Sequence, residues 1–194
     1  MLALPLFLGG CLPSPSPPPS PDEAHWMEDA GDDMRVLMVP ASHAVRLEAP
    51  GLEAVDVALG AFFARWTPRD GPVDQLAFLV ILEGDDPATV VQLSDRLLLQ
   101  MDGARFIGAP GESANSWRME ETERGGRITM AIPVSLEALN RLIYAEEVSA
   151  QLGDWGAFSL PRSQRTRFRS LVEKLPVGAP MNWYATGTLA RSGQ

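Results

Sequence analysis

Side chains suited to acid-base or metal chemistry are scarce in this sequence. Its only imidazoles are His25, inside an acidic stretch, and His43, near the start of a predicted strand, where an ordinary surface or edge position is the simplest reading. No three-ligand zinc spacing, Gly-rich phosphate loop, GxSxG turn or HExxH helix occurs. Asp85-Asp86 falls in a predicted turn, where aspartate is favoured because its carboxylate bonds to nearby backbone. Glu120, Glu121 and Glu123 lie at the end of a predicted hairpin beside Arg124 and Arg127 and read as solvated cross-strand partners. The expectation is a chain with no catalytic residue, no metal and no cofactor.

The denser signal is basic. Between Pro161 and Leu175 the chain carries Arg162, Arg165, Arg167, Arg169 and Lys174 against Glu173, a local net of +4. At about 100° per residue, Arg162, Arg165 and Arg169 fall within about 60° of one another on one flank of an apolar stripe. Such a cluster suits anionic lipid heads, a phosphorylated glycan or an acidic partner. The plainer alternative is a solvated face whose long stems cover apolar surface. Trp155, between Gly153 and Gly156 at a predicted hairpin tip, is the one tryptophan that reads as an exposed contact; Trp26, Trp66, Trp117 and Trp183 read as core or edge packing.

The elements that position these residues are clearest from Arg127 to Leu175. Ile128, Met130 and Ile132 alternate with Thr129 and Ala131, the period of a strand with one buried face, and Pro133 ends it. Ser135 suits a helix N-cap, and Leu136, Leu139, Leu142 and Ile143 follow at helical spacing. Val148, Ala150 and Leu152 alternate again, and after the Gly153–Gly156 turn Phe158 and Leu160 resume the pattern. Pro161 opens a second helix whose apolar stripe is Phe168, Leu171, Val172 and Leu175, and Pro176 stops it. A β-α-β-β-α order places helices against one face of a mainly antiparallel sheet.

Upstream, order is expected to begin near Arg35. Val36 to Val39 and Ala44 to Leu47 read as short strands joined through Pro40, and Ala54 to Trp66 as a strand with a bulge or bend at Gly60. Gln75 to Leu82 is almost wholly apolar, as in a central strand covered on both faces. Thr89 to Leu93, Leu97 to Met101 and Ala104 to Ile107 continue as strands, the last two joined by Asp102-Gly103, a strong two-residue hairpin signal. Trp117 and Met119 alternate with Arg118 and Glu120 in a further strand, and after Leu175 the tail carries Pro, Gly and Ser.

The chain has 194 residues, of which 45% are hydrophobic, a typical size for one domain. Six of its 25 acidic residues precede Met34 while all 16 Lys and Arg follow it, so the net −9 falls to 16 against 19, or −3, downstream. Nucleic acid is therefore not expected as the main partner, since such a module needs a concentrated basic surface. Leu12 to Pro21 holds six prolines and three serines and reads as an extended spacer, prolonged by the acidic run to Asp33. Ahead of it, Leu2 to Leu8 is apolar, and Leu8-Gly9-Gly10-Cys11 resembles the lipobox of bacterial lipoprotein precursors. That resemblance implies lipid on Cys11 as the first mature residue, with no Cys-His pair left for catalysis. Leu12 after the cysteine, in place of aspartate, resembles members sent to an outer membrane.

The sequence therefore predicts an α+β fold, a mostly antiparallel sheet or sandwich with two helices near the C-terminus. Residues 1–10 read as signal-peptide remnant, 11–33 as lipidated tether, 34–175 as one globular domain and 176–194 as tail. The expected function is a non-enzymatic interaction or assembly module on a bacterial envelope, anchored in the membrane by its lipid and engaging an envelope protein. Two alternatives are a binder of anionic polymer or headgroups through Arg162, Arg165 and Arg169, and a hydrolase with an acidic site.

Overall fold

Alternating burial organises two antiparallel sheets in the computed structural model, which describes residues 20, 22–29, 34–48, 53–66, 73–93, 96–110, 117–123, 125–154, 158–176 and 188–191. The larger sheet comprises β1 (His25–Asp29), β2 (Met34–Leu47), β3 (Val55–Trp66), β4 (Val73–Gly84), β7 (Trp117–Thr122) and β8 (Gly125–Pro133), ordered β1-β2-β3-β4-β8-β7. The smaller contains β5 (Leu97–Met101), β6 (Ala104–Gly108), β9 (Val148–Leu152), β10 (Phe158–Ser159) and β11 (Thr188–Arg191), ordered β10-β9-β5-β6-β11. Every described pairing is antiparallel. The fold is α+β and dominated by strands, as the alternation implies.

One face of each sheet makes the core. Phe78 stands opposite Ala61 and Ile132 in register, and its ring meets Phe106 of the smaller sheet edge-on with centroids 5.9 Å apart. Leu97, Leu99 and Met101 of β5, with Val148, Ala150 and Leu152 of β9, bury the same face of the smaller sheet. Four short helices complete the described elements: α1 (Pro87–Gln92), α2 (Leu136–Tyr144), α3 (Arg162–Thr166) and α4 (Phe168–Glu173). Phe168 of α4 brings its ring 6.3 Å from that of Phe78, so the helices share the core with the smaller sheet. Each large apolar side chain sequestered this way contributes about 1.5–3 kcal/mol of transfer free energy.

The strand at 125–133, the Ser135 cap, the helix behind it and the hairpin at 102–103 follow the sequence reading. Ser135 Oγ accepts from Ala138 N at 3.1 Å, and Asp102 and Gly103 take φ of 45° and 78°, the sign a type I′ turn requires.

Several expectations are corrected. Thr89–Leu93 is not a strand but lies largely in α1, because Asp86 caps the helix, accepting from Ala88 N at 3.1 Å and Thr89 N at 3.0 Å, with Pro87 at its start. The two short strands around Pro40 are one strand, β2, whose register slips between Val39 and Ser42 and again before Val45. The irregularity is thus in β2, not at Gly60 of β3, which pairs with β4 without a break. Gly60 matters differently: a Cβ there would meet Ala41 N and Val39 O at 2.7 Å each, so the bulge needs a glycine beneath it.

Order also begins before the expected boundary at residue 34. Ala24 is buried, and His25–Asp29 forms β1 against β2. Trp26 packs edge-on to Phe63 at 6.3 Å, and Arg35 lies over its ring at 5.1 Å. At the other end the tail supplies β11, paired with β6. The expected single helix from Pro161 is interrupted at Arg167, between α3 and α4.

Candidate functional site

The basic cluster of the last helical segment separates into three roles. Arg165 is 3% exposed and does not belong to a binding face. Its Nε donates to Leu160 O at 3.0 Å, Nη1 to Leu142 O at 3.2 Å and Ala145 O at 2.6 Å, and Nη2 to Glu146 O at 3.2 Å. Leu160 O lies just before α3, and the other three are carbonyls at and just beyond the C-terminal end of α2, where a helix leaves its last carbonyls without intrahelical donors. Burial lowers the Arg165 pKa, with repulsion from Arg162 adding to it and attraction to Asp102 opposing it; the guanidinium remains a cation. The correction has a physical cause: an arginine beside an apolar stripe snorkels only if nothing else accepts its donors, and here four carbonyls do.

Arg167 is likewise inside, 6% exposed. Its Nη2 donates to Pro40 O and its Nη1 to Ser42 O at 3.4 Å, carbonyls turned out of the ladder by the β2 bulge. Asp22 Oδ1 lies 3.3 Å from Nε as an ion pair, although the Nε hydrogen makes no hydrogen bond. Desolvation lowers the Arg167 pKa and Asp22 opposes it. Arg162 and Arg169 are exposed; Arg169 sits over the Tyr144 ring at 5.4 Å.

The acidic candidates are mostly structural. Asp86 is held below its ordinary carboxylate value by bonds from the Thr89 hydroxyl and the Ala88 and Thr89 amides. Glu120 stands opposite Arg127 in register, as expected, but its ion pair at 3.0 Å is with Arg118, while Arg127 Nη2 reaches Glu83 at 2.8 Å. His25 Nδ1 is 3.4 Å from Glu23 O. His43 lies in β2, and its side chain, with Cys11, Trp155 and Arg124, falls outside the described residues. Among the described residues no three His, Cys, Asp or Glu side chains group closely enough to hold a metal, and no helix is long and apolar enough to cross a membrane.

One concavity stands out, of about 960 Å³, on the outward side of the smaller sheet. Its floor follows from register: Ser149 faces both Gln100 and Ser159, and Gln100 faces Arg105, so these four side chains form one row on the face opposite the core. One wall is the Asp102–Gly103 turn with Glu146 and Glu147; the other is Leu160, Pro161, Arg162 and the edge of Arg165. Asp102 joins floor and wall by accepting from Glu146 N and Glu147 N at 2.9 Å each, bonds that hold its carboxyl below the ordinary value. The sequence reading found the turn but not this site. Gln100, Arg105, Ser149 and Gln151, each between core-facing neighbours, were its signal, but Leu98 and Ile107 share that face, and the pattern alone says only that the face is not core.

The concavity offers hydrogen-bond donors and acceptors together; within it Asp102 is engaged by two backbone amides and Arg165 by carbonyls. Set against family models, curated proteins and solved structures, the chain matches none of them.

Proposed function

We propose that the domain is a non-enzymatic interaction or assembly module, held on a bacterial envelope by lipid on Cys11, and that it takes an extended segment of an envelope protein onto β1. The observation that carries this reading is the exposed edge of the larger sheet. Among the described residues β1 pairs with β2 alone, and its adjacent Trp26 and Met27 are 40% and 46% exposed, on opposite faces of the strand. An edge strand presents unpaired N–H and C=O groups to a second chain, and alternate apolar side chains give that pairing its grip. The opposite edge, β7, exposes Met119 as well, but between the charged Arg118 and Glu120, which discourage pairing. The Pro-rich spacer supports the same reading, since it would hold β1 clear of a membrane surface.

The hydrolase alternative has less support, because Asp86 is engaged as the cap of α1 and Asp102 in holding the Glu146 and Glu147 amides. The anionic-polymer alternative loses Arg165 from its proposed face and keeps only Arg162 and Arg169.

Photo-crosslinking in envelope fractions tests the reading. A photoreactive residue at Met27 should capture one discrete protein, and the same residue at Tyr144 should not. Adding Trp26→Gln beside the probe, or replacing Met27 by Lys in a competition format, should abolish capture while circular dichroism stays unchanged. Capture that is equal from both positions, or absent from both, would mean that β1 is not the docking edge.

A further inference from the structure

We infer that the outward face of the smaller sheet is a binding site for a charge-neutral, hydroxyl-rich chain, that is, a stretch of neutral glycan. This site lies on a different sheet from β1 and does not depend on the reading given for that edge.

Three observations lead there. The first is balance of charge. Asp102, Glu146 and Glu147 stand against Arg105 and Arg162, with the Arg165 guanidinium bonded to carbonyls in the wall behind them. An anionic chain lying along the concavity would meet three carboxylates and a cationic chain two guanidiniums, and like charge costs binding energy in either case. A neutral ligand meets no such penalty.

The second is the mixture of donors and acceptors. Gln100 offers both an amide N–H pair and a carbonyl, Ser149 and Ser159 each a hydroxyl, Arg105 and Arg162 donors only, and Glu146 and Glu147 acceptors only. A sugar hydroxyl is donor and acceptor at once, so a row mixing all three kinds can satisfy successive hydroxyls.

The third is that most of the floor is a sheet face, with the two-residue edge strand β10 only at its margin. Side chains line it, while the ladders of β5, β6 and β9 keep backbone groups paired with one another. An extended peptide binds best where backbone groups are free, whereas a polyhydroxyl chain needs side-chain partners. The site is also large and open for a small metabolite, at about 960 Å³, which fits several linked sugar rings.

The test uses the full chain with ¹⁵N labelling. Cellohexaose, maltohexaose and chitohexaose serve as neutral probes, hexagalacturonate as the anionic one, and a hexalysine and a Gly-Ser hexapeptide as the peptide controls. At least one neutral hexasaccharide should shift the amides of Gln100, Ser149 and Glu147 in a saturable way. Gln100→Ala and Arg105→Ala, both at exposed positions, should each weaken that binding about tenfold, the worth of about 1.4 kcal/mol, without moving the melting temperature. Tighter binding of hexagalacturonate, hexalysine or the neutral peptide would overturn the inference. So would a failure of all three sugars to shift these amides, or shifts that survive both substitutions.

Discussion

Arg165 Nη1 donates to Ala145 O at 2.6 Å, a bond that closes the end of α2 from a helix 20 residues further along the chain. The arginine has effectively replaced the solvent that would cap an exposed helix end. Arg165→Ala should lower stability by about 2–4 kcal/mol, because Leu142 and Ala145 carbonyls lose a charged donor in a site water does not reach. Arg162→Ala, three residues away and exposed, should stay within about 0.5 kcal/mol. Urea unfolding of the two variants separates a packed arginine from a solvated one; equal small losses would show that Arg165 is dispensable.

Asp86 and Asp102 make stability depend on pH in a defined direction. Both pKa values are depressed in the folded chain, so the unfolded chain binds more protons as acidity rises, and stability falls with falling pH. Their contribution is complete above the ordinary carboxylate value, near about 4, and is lost as pH drops through the lower folded values. Asp86→Asn with Asp102→Asn should flatten the acid limb of a stability-versus-pH curve measured by thermal melting. A limb as steep as the parent's would place the acid-sensitive groups elsewhere.

Truncation distinguishes spacer from domain. Removing residues 12–19 should leave the melting temperature unchanged, since this Pro- and Ser-rich run has no apolar face to bury. Extending the deletion to residue 33 removes buried Ala24 and the packing of Trp26 on Phe63. That should cost about 2 kcal/mol or more, a drop of about 4–8 °C for a chain of this size. Identical melting of both truncations would mean that β1 adds nothing to the fold.

Cys11→Ser should release the protein from membranes if the cysteine carries lipid, when expressed behind a complete lipoprotein signal. The parent should partition with membranes, and its intact mass should show acyl chains. A serine variant that stays in the membrane fraction, together with an unmodified parent mass, would remove the envelope anchor from the proposed function.

How legible these features were depended on the range of the interactions that make them. The strand at 125–133, the Ser135 cap and the Asp102-Gly103 turn are set by neighbours in sequence, and alternation and cap chemistry identify them. Helix α1 was hidden because Thr89, Val90 and Val91 favour strands by type, whereas the deciding carboxylate, Asp86, sits just before them. Strand β1 was hidden by acidic composition: beyond its ladder with β2, only the Trp26 ring and the neighbouring Ala24 tie it to the core, and Ala24 is held by Ser170 and Lys174. Arg165 and Arg167 were misjudged for the same reason. A helical wheel shows which flank a guanidinium occupies, but not that carbonyls from α2 or from the β2 bulge wait there.

The bond from Ala24 N to Ser170 Oγ, at 2.9 Å, joins positions 146 residues apart, and Lys174 Nζ reaches Ala24 O at 2.8 Å beside it. Among the described residues, one of the earliest segments of the chain is thus fastened by one of the latest helices. Residues 22–24 have no such partners until α4 has emerged, and closing so long a loop carries an entropy that grows with the logarithm of its length. Docking of α4 therefore fixes residues 22–24 in place, and a change that loosens α4 would loosen them with it.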